Sequence, residues 1–159
     1  MQKIIRDMIK YFEGDVGRIN HALKVYTFAD IISDSENLSA QKRKVLLTAA
    51  LVHDVGIKKA EEKYDSSAAK YQELEGPAQA EKILRKFNLD GEFTERVCFL
   101  VGNHHSYSKI DGIDFQILVE ADFLVNIYED NMGREKIIKI RDNIFKTASG
   151  IELLEDLYL

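Results

Sequence analysis

The scarcity of chain-breaking residues is the feature that most constrains this fold. One proline and nine scattered glycines occur in 159 residues, whereas a β-rich fold needs frequent turns built from such residues. Apolar positions also recur at helical spacing. In segment 16–32 one stripe runs through His21, Val25, Phe28 and Ile32. The sequence therefore predicts an all-α fold, a single domain of about seven helices.

The helices are predicted from periodicity, caps and breakers. The segment 45–52 (VLLTAALV) is apolar on every face, so we expect a buried central helix with Ser39 as its N-cap. Gly76-Pro77 should separate two helices, and Gly150 should end the penultimate helix. We predict a loop or one helical turn at 57–67, and helices at 67–74, 77–87, 90–102, 115–128, 133–148 and 151–159.

Composition narrows the class of protein. The chain has 22 Lys and Arg against 27 Asp and Glu, a net charge of −5, and it lacks the clustered basic face that binds nucleic-acid polymers. No apolar run approaches the ~20 residues that cross a bilayer. A single cysteine and the absence of a signal-peptide pattern agree with a reducing compartment. We therefore expect a cytoplasmic protein that binds neither nucleic-acid polymers nor membranes.

Four polar residues lie where the pattern calls for apolar ones. His53-Asp54 end the buried helix, Asp122 lies inside the apolar segment ILVEADFLVNIY, and His21 heads the stripe described above. A buried carboxylate must be paired, protonated or bound to a cation. Taken singly, His21 could be a hydrogen-bonded core histidine, His53-Asp54 could cap a helix end, and Asp122 could pair with a lysine. Together they favour a nitrogen and oxygen site for manganese, iron, nickel, cobalt or zinc.

The order of these residues resembles that of the HD-domain superfamily of metal-dependent phosphohydrolases. The family pattern is H…HD…D, here His21, then His53-Asp54, then Asp122. The resemblance covers about residues 17–130 and implies an HD-type helical bundle with the C-terminal helices 133–159 appended to one domain, 1–159. It also implies that these four side chains are the metal ligands, with Asp54 able to bridge two ions.

The resemblance leaves the number of metal ions at one or two. Some relatives hold a second ion with extra histidines, and Asn103-His104-His105 matches one such cluster. The other histidine position is Gln72 here, with Glu73 adjacent. Glu73 could act as an oxygen ligand in its place, or this pair could orient a water. Alternatively, the two histidines could cap a helix with solvated rings.

Two lysines are candidates for binding phosphate. The family often has lysine directly after the glycine of HD-x-G, a position occupied here by Ile57. Lys58 follows it, and Lys70 lies in the segment SSAAKYQE. The alternative for each lysine is a solvated surface charge.

The resemblance implies hydrolysis of a phosphate ester or anhydride in a small molecule such as a nucleotide. Asp54, His104 and His105 would be catalytic, and Lys58, Lys70 and Gln72 would bind substrate. The expected binding partner is the small phosphorylated substrate, and a homodimer is also possible.

Two other functions stay open at this point. The domain could be a metal-binding sensor or interaction module without turnover, since Ile57 and Gln72 depart from the family pattern. It could also be a di-iron oxygenase, which would require a full second metal site.

Overall fold

The computed structural model describes residues 1–159 and consists of helices alone. The all-α prediction is confirmed, with nine α-helices, a few more than expected. They are α1 (Gln2–Phe12), α2 (Val16–Ser35), α3 (Ala40–Val52), α4 (Gly56–Tyr64), α5 (Ala69–Leu84), α6 (Gly91–Val101), α7 (Ile113–Glu129), α8 (Arg134–Ile144) and α9 (Ala148–Tyr158), with short 3-10 turns at Arg85–Phe87 and Tyr107–Lys109.

The core forms around α3 and α7. All eight residues from Val45 to Val52 are buried, and α7 is buried over most of its length. Helix α2 packs against both of them, and α6 packs against α3. None of the helices combines the length and apolar character that crossing a membrane requires. The polar residues of α2, α3 and α7 are thus carried on the best-packed part of the molecule.

Side-chain caps start two of these core helices. Asp15 accepts a hydrogen bond from the Arg18 amide at the start of α2 (3.0 Å). Ser39 accepts one from the Lys42 amide at the start of α3, as predicted. Asp90 precedes α6 at the cap position, but its side chain accepts no hydrogen bond.

Helix α4 occupies the stretch predicted to be a loop or single turn, so that prediction is wrong. Its sequence, GIKKAEEKY, is polar, and only Gly56, Ile57 and Ala60 are buried. These three residues share one narrow face that packs against α5. Tertiary packing therefore stabilises a helix whose sequence shows little periodicity.

Helix α5 runs unbroken through Gly76-Pro77, where two helices were predicted. Close packing at Gly56 and Gly102 explains why the helix continues. A Cβ on Gly56 would lie 2.4 Å from the Gln72 carbonyl oxygen, and one on Gly102 would lie 2.8 Å from the ring of Pro77. Because α4 and α6 approach α5 so closely, their packing holds the helix across the hydrogen bond that proline cannot make. The same approach brings Gln72 beside the turn that follows α3.

The junction between α8 and α9 also differs from the prediction. Helix α8 ends at Ile144, and Gly150 lies in the first turn of α9 instead of ending a helix. The Thr147 hydroxyl caps α9 by accepting from the Gly150 amide (3.0 Å). The buried Glu120 carboxylate of α7 accepts the amides of Lys146 and Thr147. Glu120, which is distant in the sequence, thus fixes the backbone between the end of α8 and the start of α9.

Candidate metal centre

Three core helices bring four polar side chains to one point. His21 comes from α2, His53 and Asp54 from the turn after α3, and Asp122 from α7. The Nε2 atom of His21 lies 3.2 Å from Nε2 of His53 and 3.1 Å from Oδ1 of Asp122. The Oδ2 atom of Asp54 lies 3.6 Å from His21 Nε2 and 3.5 Å from His53 Nε2.

These distances fit a shared metal ion. Ligand atoms that lie about 2.0–2.2 Å from one ion in a tetrahedral arrangement are about 3.3–3.6 Å from one another. The spacing of 3.1–3.6 Å among the nitrogen and oxygen atoms is close to that range. His21, His53 and Asp54 form one group of donor atoms within 4.8 Å of one another, and Asp122 lies beside the two histidines, so the residues present fit a divalent transition metal.

The orientation of three imidazole rings is fixed from behind. Nδ1 of His53 donates to the Ala50 carbonyl (2.9 Å), and Nδ1 of His104 donates to the Val101 carbonyl (2.8 Å). Nδ1 of His21 is 2.8 Å from Oε2 of Glu129, and the other oxygen of Glu129, Oε1, accepts a hydrogen bond from Lys24. A carbonyl or carboxylate can only accept, so each Nδ1 carries a proton and each ring turns its Nε2 atom, the one that would bind a metal, inward.

A second group of donors lies on the other side of Asp54. Asp54, His104 and His105 offer ligand atoms that all lie within 4.8 Å of one another. Nε2 of His104 is 3.5 Å from Oδ1 of Asp54 and, although buried, has no hydrogen-bond partner. His105 Nε2 is 3.3 Å from the Gln72 side-chain oxygen. Asp54 thus presents one carboxylate oxygen to each group.

Glu73 contacts the histidine loop without joining either donor group. One of its carboxylate oxygens accepts the backbone amide of His105 (3.1 Å), and the other accepts the hydroxyl of Ser106 (3.0 Å). Both oxygens are therefore occupied in holding the loop between α6 and α7 against α5. Glu73 was considered from sequence as an oxygen ligand for the metal. In the structure its carboxylate instead holds the loop that carries His105.

The charges of the four core residues depend on one another. Burial would lower the pKa of His21, but hydrogen bonding to Asp122 and the carboxylate charges outweigh it and raise that pKa to about 9. The pKa of His53 is likewise raised against its burial, chiefly by Asp54 and Asp122. Burial would raise the pKa of Asp54, yet His53 and His104 hold it below its usual range. In the protein alone, protons take the place of a cation.

The donors open into a cavity of about 340 Å³. Ten residues line it, and Ile57 alone among them is hydrophobic. Four belong to the donor groups (His21, Asp54, His105 and Asp122), and the others are Gly17, Arg18, Ile57, Gln72, Asn126 and Glu129. His53 and His104 lie behind this surface and are buried.

The two candidate lysines lie outside the lining of this cavity. Lys58 is exposed on α4, because Ile57 takes the inward position at this turn. Lys70 is exposed in the first turn of α5, with its Nζ 4.6 Å from the centre of the Tyr71 ring. The geometry gives both lysines the solvated position that was the alternative from sequence.

Sequence reasoning missed three residues around the site. Asn126 donates to Oδ1 of Asp122 (2.9 Å), Glu129 orients His21, and Arg18 lies on the cavity wall. Spacing could have found them: Asn126 and Glu129 are four and seven residues after Asp122, and Arg18 is three residues before His21, on the same helix faces.

The turn that carries His53-Asp54 is also held from the N-terminal side. The Tyr11 hydroxyl on α1 donates to the Val55 carbonyl (2.7 Å). Burial and the nearby Glu62 raise the pKa of Tyr11 to about 12, so the hydroxyl stays protonated at neutral pH. Helix α1, which was not predicted from the sequence, thus contacts the turn that carries His53-Asp54.

Comparisons with known proteins agree with the site geometry. A protein-family model described as the HD domain matches residues 18–151. Among solved structures, the chain is similar to a predicted HD superfamily hydrolase from an uncultured Thermotogales bacterium, with a TM-score of 0.70 and 23% sequence identity. That similarity covers 99% of this chain and 84% of the other. No curated protein matches the chain at a significant level.

Proposed function

The chain belongs to the HD domain family, and we propose that it is a metal-dependent phosphohydrolase that cleaves an ester or anhydride bond of a small phosphorylated molecule. The observation that carries the proposal is the orientation of three histidines. His21, His53 and His104 come from separate parts of the chain, and each has its Nδ1 bound to an acceptor and its Nε2 within 3.6 Å of the Asp54 carboxylate. A structural core gains nothing from this arrangement, whereas a metal needs it.

The residues present fit a metal such as manganese, iron, nickel, cobalt or zinc. His21, His53, Asp54 and Asp122 would hold the first ion, and Asp54 with His104 and His105 would hold a second. The unpartnered Nε2 of buried His104 supports a ligand at this second position. When bound, the metal supplies a Lewis acid that polarises a phosphoryl oxygen and lowers the pKa of a water molecule.

Asp54 has a further role in the proposal. Its Oδ2 lies near His21 and His53, while Oδ1 lies on the side of His104. With Oδ2 engaged at the first position, Oδ1 can accept a hydrogen bond from the attacking water and orient it. Without a second ion, His105, which lines the cavity, can bind the phosphoryl group, and His104 lies behind it with Nε2 3.5 Å from Oδ1 of Asp54. Gln72 lies within hydrogen-bond distance of His105 and keeps its ring in place.

The experiment that tests this proposal combines metal content with turnover. The protein is purified without chelator or metal-affinity tag, its metals are measured per chain, and p-nitrophenyl phosphate hydrolysis is assayed with each candidate ion. We expect one or two ions per chain and hydrolysis. Asp122→Ala should lose both while keeping its helical circular dichroism. Asp156→Ala is the matched control, because Asp156 is exposed and makes no ion pair or side-chain hydrogen bond.

Each outcome separates the alternatives. Full activity in Asp122→Ala would mean that this site is not the active one. Metal binding without turnover on any phosphate ester or anhydride would favour a non-catalytic sensor or binding module. Absence of metal after incubation with manganese, iron or nickel would leave only the fold in common with the family.

A further inference from the structure

Arg18 is the only lysine or arginine among the ten residues that line the cavity, whereas Asp54, Asp122 and Glu129 contribute carboxylates. A phosphorylated substrate entering this cavity therefore meets three carboxylates, and outside the metal donors Arg18 is the one side chain with a positive charge to offset its own. Since Lys58 and Lys70 lie outside the lining, no other basic side chain is available to contact it there.

Arg18 and the metal donors lie at different depths. The side chain of His53 is 1% exposed, and those of His21 and Asp122 are also buried. The side chain of Arg18 is 28% exposed, and its partner Glu61 is 44% exposed. A phosphoryl group bound against the buried donors would occupy the floor of the cavity, and Arg18 lies at its rim.

The guanidinium is held at the rim by two carboxylates. Nη2 of Arg18 donates to Oε1 of Glu61 on α4 (2.6 Å), and Nη1 lies 3.2 Å from Oδ2 of Asp15. Asp15 is also the N-cap of α2, so its position is fixed by the Arg18 amide. Glu61 is the more exposed of the two partners, and its long side chain can turn into solvent when an anion takes its place.

We propose that Arg18 binds a second anionic group of the substrate, in exchange for Glu61, while the scissile phosphoryl group lies at the metal donors. This assignment rests on the phosphohydrolase function proposed above. The planar guanidinium suits bidentate contact with a phosphate or carboxylate, and that contact is stronger than one with a neutral group. The preferred substrates are small bisphosphates, diphosphates or phosphorylated acids.

The rest of the lining agrees with a polar substrate. Ile57 is the only hydrophobic residue, and no Phe, Tyr or Trp is present. The volume of about 340 Å³ accommodates a sugar-sized molecule, and Ile57 is the one hydrophobic side chain that a lipid chain could contact there. The part of the substrate between its two anionic groups should therefore be hydroxylated or otherwise polar.

The test compares probes that differ by one anionic group. Fructose 1,6-bisphosphate is compared with fructose 6-phosphate, and 3-phosphoglycerate with glycerol 3-phosphate, in the metal-loaded protein. For the wild type we expect kcat/KM about 10-fold higher for the member with two anionic groups in at least one pair, through a lower KM. A phosphate requirement and a carboxylate requirement are separated by which pair shows the preference.

Variants at Arg18 and Glu61 should shift this preference in opposite directions. Arg18→Ala should reduce it to less than about 2-fold, and Arg18→Lys should keep part of it. Glu61→Gln should increase it, because Asp15 is then the only carboxylate that competes with the substrate for the guanidinium. Arg141→Ala is the matched control. The Arg141 side chain is 29% exposed and also paired with two carboxylates, but it lies outside the cavity.

A binding measurement separates this proposal from the proposed function. The rise in Tm on adding each probe is measured with and without metal, so that binding is observed even without turnover. A rise in Tm that is selective for probes with two anionic groups and disappears in Arg18→Ala would support the proposal even if no probe is hydrolysed. Equal kcat/KM and equal Tm shifts within both pairs, or a preference unchanged in Arg18→Ala, would overturn it.

Discussion

The two sides of the Asp54 carboxylate differ in how their histidines are held. On the Oδ2 side, His21 and His53 lie within 3.6 Å of Asp54, and both also contact Asp122. On the Oδ1 side, His104 Nε2 has no hydrogen-bond partner, and His105 contacts the neutral amide of Gln72. The histidines on the Oδ2 side are therefore paired with two carboxylates, whereas the Oδ1 side keeps one imidazole nitrogen without a hydrogen-bond partner.

The difference follows from the elements that supply each side. The Oδ2 side comes from α2, the end of α3 and α7, the helices that form the core. The Oδ1 side comes from the loop between α6 and α7, which Glu73 holds through two hydrogen bonds. We therefore expect the first side to bind an ion tightly and the second to exchange its ligand during function.

The largest effect should come from removing one histidine on each side. His21→Ala should lower kcat/KM by more than about 100-fold and lose ions from both positions, because Asp54 loses the partners that orient it. His104→Ala should keep about one ion per chain. Elemental analysis of the two proteins, with Asp156→Ala as control, measures this. Equal loss in both variants would mean that the sides are not distinct.

The next effect concerns the close approach that brings α5 to the site. Gly56→Ala places a methyl group 2.4 Å from the Gln72 carbonyl oxygen and 2.8 Å from the Gly76 amide nitrogen. Backbone atoms cannot move aside easily, so the free energy of unfolding should fall by about 2–4 kcal/mol. Chemical denaturation measures it. Gly133→Ala, where a Cβ meets no atom within 4 Å, should leave the midpoint almost unchanged.

A smaller effect is expected from loosening the Oδ1 side alone. Glu73→Ala removes the acceptor for the His105 amide and the Ser106 hydroxyl, so kcat/KM should fall about 10-fold while the first ion stays bound. Glu81→Ala, on the exposed part of the same helix, is the control. Loss of the first ion in Glu73→Ala would show that the two sides are coupled through the loop.

The smallest effect is expected from adding a metal donor to the Oδ1 side. Gln72→His puts an imidazole beside His105 in place of an amide. The second position should then gain occupancy, up to about one additional ion per chain, with little change in stability. An unchanged metal content would indicate that a donor at residue 72 does not reach this position.

The parts of the fold that could be predicted are those whose pattern reports their own burial. Helix α3 is apolar on all faces and is buried throughout, as expected. Helix α1 carried a readable signal in Ile4, Met8 and Phe12, which are spaced by four and are all buried. Helix α4 did not, since contacts with α5 stabilise it. The same contacts, absent from any local pattern, carry the helix through Pro77.

The candidate site divides in the same way. His53-Asp54 and Asp122 could be found because they interrupt apolar segments, and such interruptions are visible in one sequence. The role of Glu73 could not be found, because its partners at residues 105 and 106 meet it only after the helices pack. Arg18 lies three residues before His21, but nothing in the local pattern distinguishes it from an ordinary surface charge.

The hydrogen bond between Tyr11 and Val55 ties the amino-terminal helix to the metal donors. This helix lies outside the matched family region, residues 18–151, yet it supports the turn that carries His53-Asp54. Any ion bound by that turn stabilises α1 as well, because binding favours the conformation in which both are ordered. Amide hydrogens of α1 should therefore exchange more slowly in the metal-loaded protein, and chains lacking this helix should release their ions faster.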